Sequence, residues 1–319
     1  MYFDLSSLFG TVCTLFLLML CGFICRKIGI LDAHTSKKFS QLIIQVGQPM
    51  MIIGALCGAE YSKENLRIAR NTLLIGFALH AVMALAAFLI CRRFRDLNRA
   101  KIFEFSLIFA NCGFLGFPVL DSLYGAGKGS FIGAFYVISF HLLIWTWGMV
   151  ILGRGRPDIR LTPRKALLNF GTIPCAIGIL LYLLKPYFML PTAVTGFLSY
   201  VGGLCTPISM LITGGLLATV PLTEMFRNGK LYLHAGIKLV AFPIVICLGA
   251  KLIGLSRENI LLCTVMAGLP SASTVTMLGE MYDIEPRYAS QTVGMTSLLT
   301  PATLPCVVLF AQWVSSWGI

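Results

Sequence analysis

Charge is scarce in this sequence: 12% of its 319 residues are Asp, Glu, Lys or Arg, against roughly 25% in a soluble domain. Acidic residues are scarcest, 13 against 25 basic ones. A chain so poor in charge cannot cover itself with polar surface, which excludes an ordinary water-soluble fold. No Cys-x-x-Cys pair occurs among its 11 cysteines, and all of them fall in or at the ends of apolar runs. There they act as small buried hydrophobes rather than as a disulfide or zinc framework, and no metal site is expected. The sequence has no His-Glu-x-x-His, no Gly-x-Ser-x-Gly and no Ser, His and Asp arrangement at membrane depth, which argues against an intramembrane enzyme. No basic stretch precedes the first apolar run, and Asp4 stands there instead, so that run is read as a retained helix rather than a cleaved signal peptide. No long polar linker is present either. That leaves no room for a soluble output domain and disfavours a sensor that binds without transporting.

What is present is apolar: 57% of residues are hydrophobic and the mean hydropathy is +0.84. A spanning helix needs about 20 apolar residues, and ten such segments can be drawn, over 5–27, 36–59, 67–92, 101–124, 130–152, 166–188, 192–219, 231–254, 258–281 and 288–315. The expected fold class is therefore an all-α integral membrane protein, with lipid as part of its solvent. With the N-terminus placed outside, inward loops hold 17 Lys and Arg and outward loops 7. This positive-inside bias predicts both termini outside the cytoplasm in a multi-pass cytoplasmic-membrane protein. The net charge of +12 is thus an orientation signal and not a nucleic-acid footprint.

A faint internal repeat divides the chain into 1–152, a short basic loop at 153–165 and 166–319. The second segment carries Pro49 and the seventh Pro207; the fourth carries Asn111, Gly113, Gly116 and Pro118, and the ninth Gly268 and Pro270. The paired prolines are 158 and 152 residues apart. Five segments per copy is an odd number, so the second copy enters the membrane inverted, as in many transporters. A proline inside a helix frees backbone groups, and in hydrocarbon these survive only where they are buried in protein or line a cavity. The fourth and ninth segments are therefore expected to be broken at depth. If each second half starts at its proline, it offers the N–H groups of Val119 and Leu120, or of Ser271, Ala272 and Ser273, to an anion; the carbonyls freed before each break can instead hold a cation.

Asn111 carries both a donor and an acceptor, for substrate or ion or for freed backbone groups. Ser271, Ser273 and Thr274 have the same two uses. Gln45, Gln48, Thr206 and Ser209 flank the other two prolines and are read first as patching kinks. Lys238 lies inside the eighth segment and either snorkels to the cytoplasmic face or acts as a counter-ion. His80, 158 residues earlier, matches one repeat offset; His141 is either a proton-relay group or a neutral hydrogen-bonded histidine. Glu104 and Asp121 are expected at the membrane interface.

The run Asn111-x4-Gly116-x-Pro118-x5-Tyr124-Gly125, the segment GLPSASTVTMLGEMYDIEPRYAS at 268–290 and TLPCVVLF near the end resemble the signatures of the auxin efflux carrier family, in its bacterial short form. The resemblance covers essentially the whole chain. It implies ten helices as two inverted five-helix repeats with broken, crossing fourth and ninth helices, the fold shared with bile-acid symporters and sodium–proton antiporters. It also implies a dimeric scaffold of helices one, two, six and seven, and an elevator-like transport domain. The cargo would be a small organic anion such as malate or malonate, bound near Asn111, Gly116, Pro118, Val119, Pro270, Ser271, Ser273 and Thr274. No cofactor is expected, lipid and a second copy of the chain are the expected partners, and coupling to Na+ or H+ stays open, since the mid-membrane Asp pair of proton antiporters is missing. A sodium-coupled bile-acid-like symporter is the alternative.

Overall fold

A computed structural model describes residues 5–159 and 168–317. Residues 160–167, which include three of the predicted inward basic residues and the start of the sixth segment, lie outside the described residues. Thirteen helices follow in chain order: α1 (Leu5–Lys27), α2 (Ala33–Gly58), α3 (Lys63–Cys91), α4 (Leu97–Ile108), α5 (Gly116–Tyr124), α6 (Lys128–Gly153), α7 (Thr172–Leu184), α8 (Thr192–Leu217), α9 (Leu222–Arg227), α10 (Gly229–Leu252), α11 (Arg257–Gly268), α12 (Thr274–Met281) and α13 (Pro286–Ser316). Among the described residues seven of them, α1, α2, α3, α6, α8, α10 and α13, are long and apolar enough to cross a membrane. The expected all-helical membrane protein is thus observed, and the fourth and ninth apolar segments are each divided into two short helices.

Polar caps set several starts. Asp32 accepts the N–H of Thr35 at 2.6 Å ahead of α2, and this bond holds its carboxyl below the usual range. Asp96 accepts from Asn98 and Arg99 at the head of α4, and Ser62 from Asn65 at the head of α3. Both helices therefore begin four residues before the apolar runs at 67 and 101. Prolines inside spans are absorbed without a stop: a π-helical turn, Ile43–Gly47 or Ile237–Ala241, precedes Pro49 in α2 and Pro243 in α10.

The chain forms two compact units, each drawn from both halves of the sequence. The first comprises residues 1–76, 113–146 and 161–218 as far as they are described. Here α1 packs along the second half of α8, and the backbones approach so closely that a Cβ at Gly22 would meet Leu211 and one at Gly214 would meet Met19. The second half of α2 packs on α7 and on the start of α8, with Gly178 over Leu56 and Gly202 over Met51. Tyr182, fully buried, stacks among Tyr61, Phe131 and Phe135, and Lys185 caps α2 by donating to the carbonyls of Cys57 and Ala59 at 2.9 and 2.7 Å.

The second unit comprises 77–112, 147–160 and 219–319 within the described residues. In it α13 is the spine, contacting α4, α10, α11 and α12. On its surface Leu85 is 62% exposed and Val245 64%, and in the first unit Leu17 is 61% exposed. Such apolar faces suit lipid, not water.

Gly214→Val is expected to destabilise the protein by about 1–3 kcal/mol or more through overpacking, whereas Gly196→Ala, where a Cβ meets nothing within 4 Å, leaves stability equal or higher. Melting temperatures of the two purified variants check the contrast; equal melting would show that α1 and α8 are not in close contact.

Candidate functional site

The two breaks are built differently. In the ninth segment Pro270 disfavours helical backbone at the residue before it, and Leu269 is extended at φ −65°, ψ 150°. In the fourth, the chain leaves the helix at Phe109, φ −94° and ψ 105°, nine residues before Pro118. The two extended pieces lie in the second unit and pair there: Ala110 and Ser271 form an antiparallel bridge, flanked by Asn111 N–H donating to Pro270 C=O at 2.8 Å and Ala272 N–H to Phe109 C=O at 2.9 Å.

Around this crossing several polar groups repair the freed backbone. Ser271, fully buried, donates its N–H to Thr296 Oγ1 at 3.2 Å and its hydroxyl to Ser106 C=O at 3.0 Å. Ser106 Oγ donates to Phe103 C=O and lies 2.7 Å from His234 Nε2. Lys238 does not snorkel. It is 0% exposed, one helical turn after His234 within the π-turn of α10, and its ammonium donates to Leu107 C=O at 3.0 Å. His80, also buried, sets its ring 6.0 Å from that of Phe109. The two residues separated by one repeat offset thus both meet the stretch 107–109. Ser273 stands at the N-cap of α12, and Thr274 begins the helix with its hydroxyl buried and unpartnered, as is that of Thr276.

These bonds revise which N–H groups are on offer. The half-helices do not start at their prolines: α5 begins at Gly116, so Pro118 is its third residue, and α12 begins at Thr274, four residues past Pro270. Val119 N–H donates to Leu115 C=O at 3.3 Å, and those of Ser271 and Ala272 are taken by the crossing. The first-turn donors outside this bonding are Gly116 and Phe117 in the first unit and Thr274 in the second, because the first turn of a helix lacks intrahelical acceptors.

In the first unit, the bond that Pro118 cannot make frees Phe114 C=O, and Thr206 donates its hydroxyl to it at 2.9 Å. Pro118 and Phe117 line a cavity of about 890 Å³ with Ser7, Thr11 and Thr14 of α1 and Thr206 of α8. His141 is buried and lies 3.1 Å from the Gln48 amide, with its Nδ1 unpartnered. Gln48 therefore serves His141, beyond the kink at Pro49. Asp121 spends its carboxylate on the N–H groups of Gly127 and Ser130.

Glu104 is 1% exposed and paired bidentately with Arg154, one bond being 2.9 Å. Nearby, outside the spans, Arg156 holds the Asp158 carboxyl below its usual range and donates to Tyr282 C=O at 3.1 Å. Ser106, His234 and Thr296 were not singled out by sequence. His234 could have been found from its place four residues before Lys238; Ser106 and Thr296 carry no signal beyond a small hydroxyl in an apolar run. Among the described residues no group of three or more His, Cys, Asp or Glu converges to hold a metal.

A multi-pass helical chain whose polar side chains gather on two interrupted, crossing segments is a membrane carrier in architecture. The chain belongs to the membrane transport protein family, whose profile matches residues 7–160 and 156–308, and the auxin efflux carrier resemblance is borne out at that level. It is similar to an uncharacterized transporter of Methanothermobacter thermautotrophicus, 24% identical over 92% of this chain and 95% of the relative. A second such transporter, of Methanocaldococcus jannaschii, is 21% identical over 88% and 91%.

Ser106→Ala removes the hydroxyl beside His234 Nε2 and leaves both ring nitrogens unpartnered, since Nδ1 already is. A loss of about 1–3 kcal/mol is expected from that buried group, read as a lower melting temperature than for Ser122→Ala on the half-buried face of α5. Equal melting of the two variants would remove the network from the account.

Proposed function

We propose that this chain is a secondary transporter that moves a small organic anion, of the malate or malonate class, across the cytoplasmic membrane by elevator-type alternating access. The observation that carries the reading is the crossing of 109–111 and 270–272, where backbone leaves the helix in both segments and pairs with itself. Unwound backbone at membrane depth is tolerated where protein or a cavity surrounds it, and carriers place cargo and coupling-ion sites at such points. Asn111, Pro270, Ser271, Ser273 and Thr274 gather there, and the sign of the nearby charge favours an anion: Lys238 is buried, and Glu104, the buried carboxylate of α4, is neutralised by Arg154. The first turn of α12 adds the Thr274 N–H and two unpartnered hydroxyls. Gly116, Pro118 and Val119, in the first unit, are proposed as cargo contacts from the family resemblance, and Pro118 lines a cavity of about 890 Å³ within that unit.

The remainder of the reading comes from chain order and charge. Ten spans in two inverted repeats, over 1–152 and 166–319, agree with paired interruptions in the fourth and ninth segments. The loop charges support an outward placement of both termini, and a homodimer is proposed from the family resemblance. His80 and His141 are candidate proton carriers.

The test is thermal unfolding of the purified protein with malate, malonate, succinate, citrate, lactate, indole-3-acetate and a bile acid, followed by flux of any binder in proteoliposomes. A ligand at a hundred times its Kd adds about 2.7 kcal/mol to stability. Binding and flux of one carboxylate are expected, both lost in an Asn111→Ala variant whose circular dichroism shows it folded. A panel without any acidic binder overturns the anion assignment, and binding without flux overturns transport. Alkaline phosphatase fused after residue 317 is expected to be active, and inactive when fused after Arg156; the reverse pattern inverts the topology.

A further inference from the structure

In ion-coupled carriers a broken helix presents free carbonyls to a dissolved cation. At the end of α4 those carbonyls are all but spoken for. Phe105 C=O accepts Phe109 N–H at 3.0 Å, Ser106 C=O accepts the Ser271 hydroxyl at 3.0 Å, Leu107 C=O accepts Lys238 at 3.0 Å, and Phe109 C=O accepts Ala272 N–H at 2.9 Å. The one cation among these donors is covalently attached.

We infer that Lys238 is a tethered cation standing at the unwound end of α4 where a coupling ion would otherwise bind, so that this carrier works without Na+. This rests on the carrier reading for its meaning in transport. Three observations on the page support it. The side chain is fully buried although a flexible four-carbon stem in a spanning helix normally reaches for the surface. Its ammonium meets a carbonyl at a helix C-terminus, where the helix dipole is negative and a cation is stabilised. And none of the five ion pairs among the described residues includes it, the closest acid along α4, Glu104, being bound by Arg154. The π-turn at Ile237–Ala241 sets the residue within the element that packs on α11 and α13, with His234 beside Ser106 one turn earlier. The ammonium of Lys238 therefore has the role of a positioning group: it holds the end of α4 unwound.

The test needs no organic anion. The purified full chain is unfolded thermally in matched NaCl, LiCl, KCl and choline chloride, as wild type and as Lys238→Ala, Lys238→Met and Lys238→Arg. The wild type is expected to melt at the same temperature in all four salts. Lys238→Ala should melt several degrees lower in choline and regain part of the loss with Na+, Li+ or propylammonium, which fit the vacated stem, but not with tetramethylammonium. Lys238→Met, which keeps the volume without the charge, should stay low, and Lys238→Arg should return towards wild type. A rise of the wild-type melting temperature in Na+ over choline overturns the inference, because a cation would then bind beside Lys238. So does a Lys238→Met as stable as wild type, because the charge would then be dispensable. If Lys238→Ala cannot be purified, those two outcomes still decide. A failed carboxylate panel leaves this result standing, and Na+ stabilisation of the wild type leaves the anion assignment untouched, so the two readings fail separately.

Discussion

A backbone amide or carbonyl surrounded by hydrocarbon has no water to bond, and leaving one unpaired costs several kcal/mol. Helices meet this demand automatically, and a chain that interrupts two of them must meet it by other means. Here the interruptions answer each other. The extended piece at 109–111 and the one at 270–272 exchange two backbone hydrogen bonds, and the carbonyls left at the end of α4 are taken by a hydroxyl from Ser271 and an ammonium from Lys238. In the first unit the carbonyl that Pro118 orphans is taken by Thr206. The polar inventory of this apolar chain is spent largely on its own breaks.

Basic side chains share that labour. Lys185 donates to the carbonyls that close α2, Lys238 to one that closes α4, and Lys251 to Trp317 C=O just past α13, at 2.7 Å. Each sets a positive charge at a negative helix end. What separates Lys238 from the others is depth. Lys185 and Lys251 stand at span termini, where an ammonium reaches water easily, while Lys238 lies inside α10 and is fully buried. The same capping chemistry is ordinary at the surface and consequential at the centre, because the charge there cannot be screened by solvent.

The positions of the breaks were legible in sequence because Gly and Pro are local signals, and the apolar runs because they are long. The manner of breaking was not. Reading Pro118 as the first residue of a half-helix treats proline as a start signal, whereas α5 winds two residues before it, since the third position of a helix has no intrahelical N–H bond to lose. Two extended pieces can also satisfy one another only through space, and no local pattern says that Ala110 meets Ser271. Lys238 posed the same difficulty. Its depth could be counted along the chain, but whether the stem turns outward or inward depends on a carbonyl 131 residues away. The pairing of Glu104 was hidden for a like reason: its partner Arg154 is 50 residues distant.

A crossing made of backbone has a consequence for how such a family diversifies. The bonds from Asn111 N–H to Pro270 C=O and from Ala272 N–H to Phe109 C=O require no particular side chain at Asn111, Ala272 or Phe109. The pairing itself is thus independent of side-chain identity there, which is consistent with recognisable relatives at 24% and 21% identity over most of the chain. The side chains that repair its carbonyls, by contrast, are held to their chemistry by the bonds they make. By that criterion Ser271 and Lys238 belong to the frame of the crossing. Backbone pairing and side-chain repair thus meet within a few residues of one bridge.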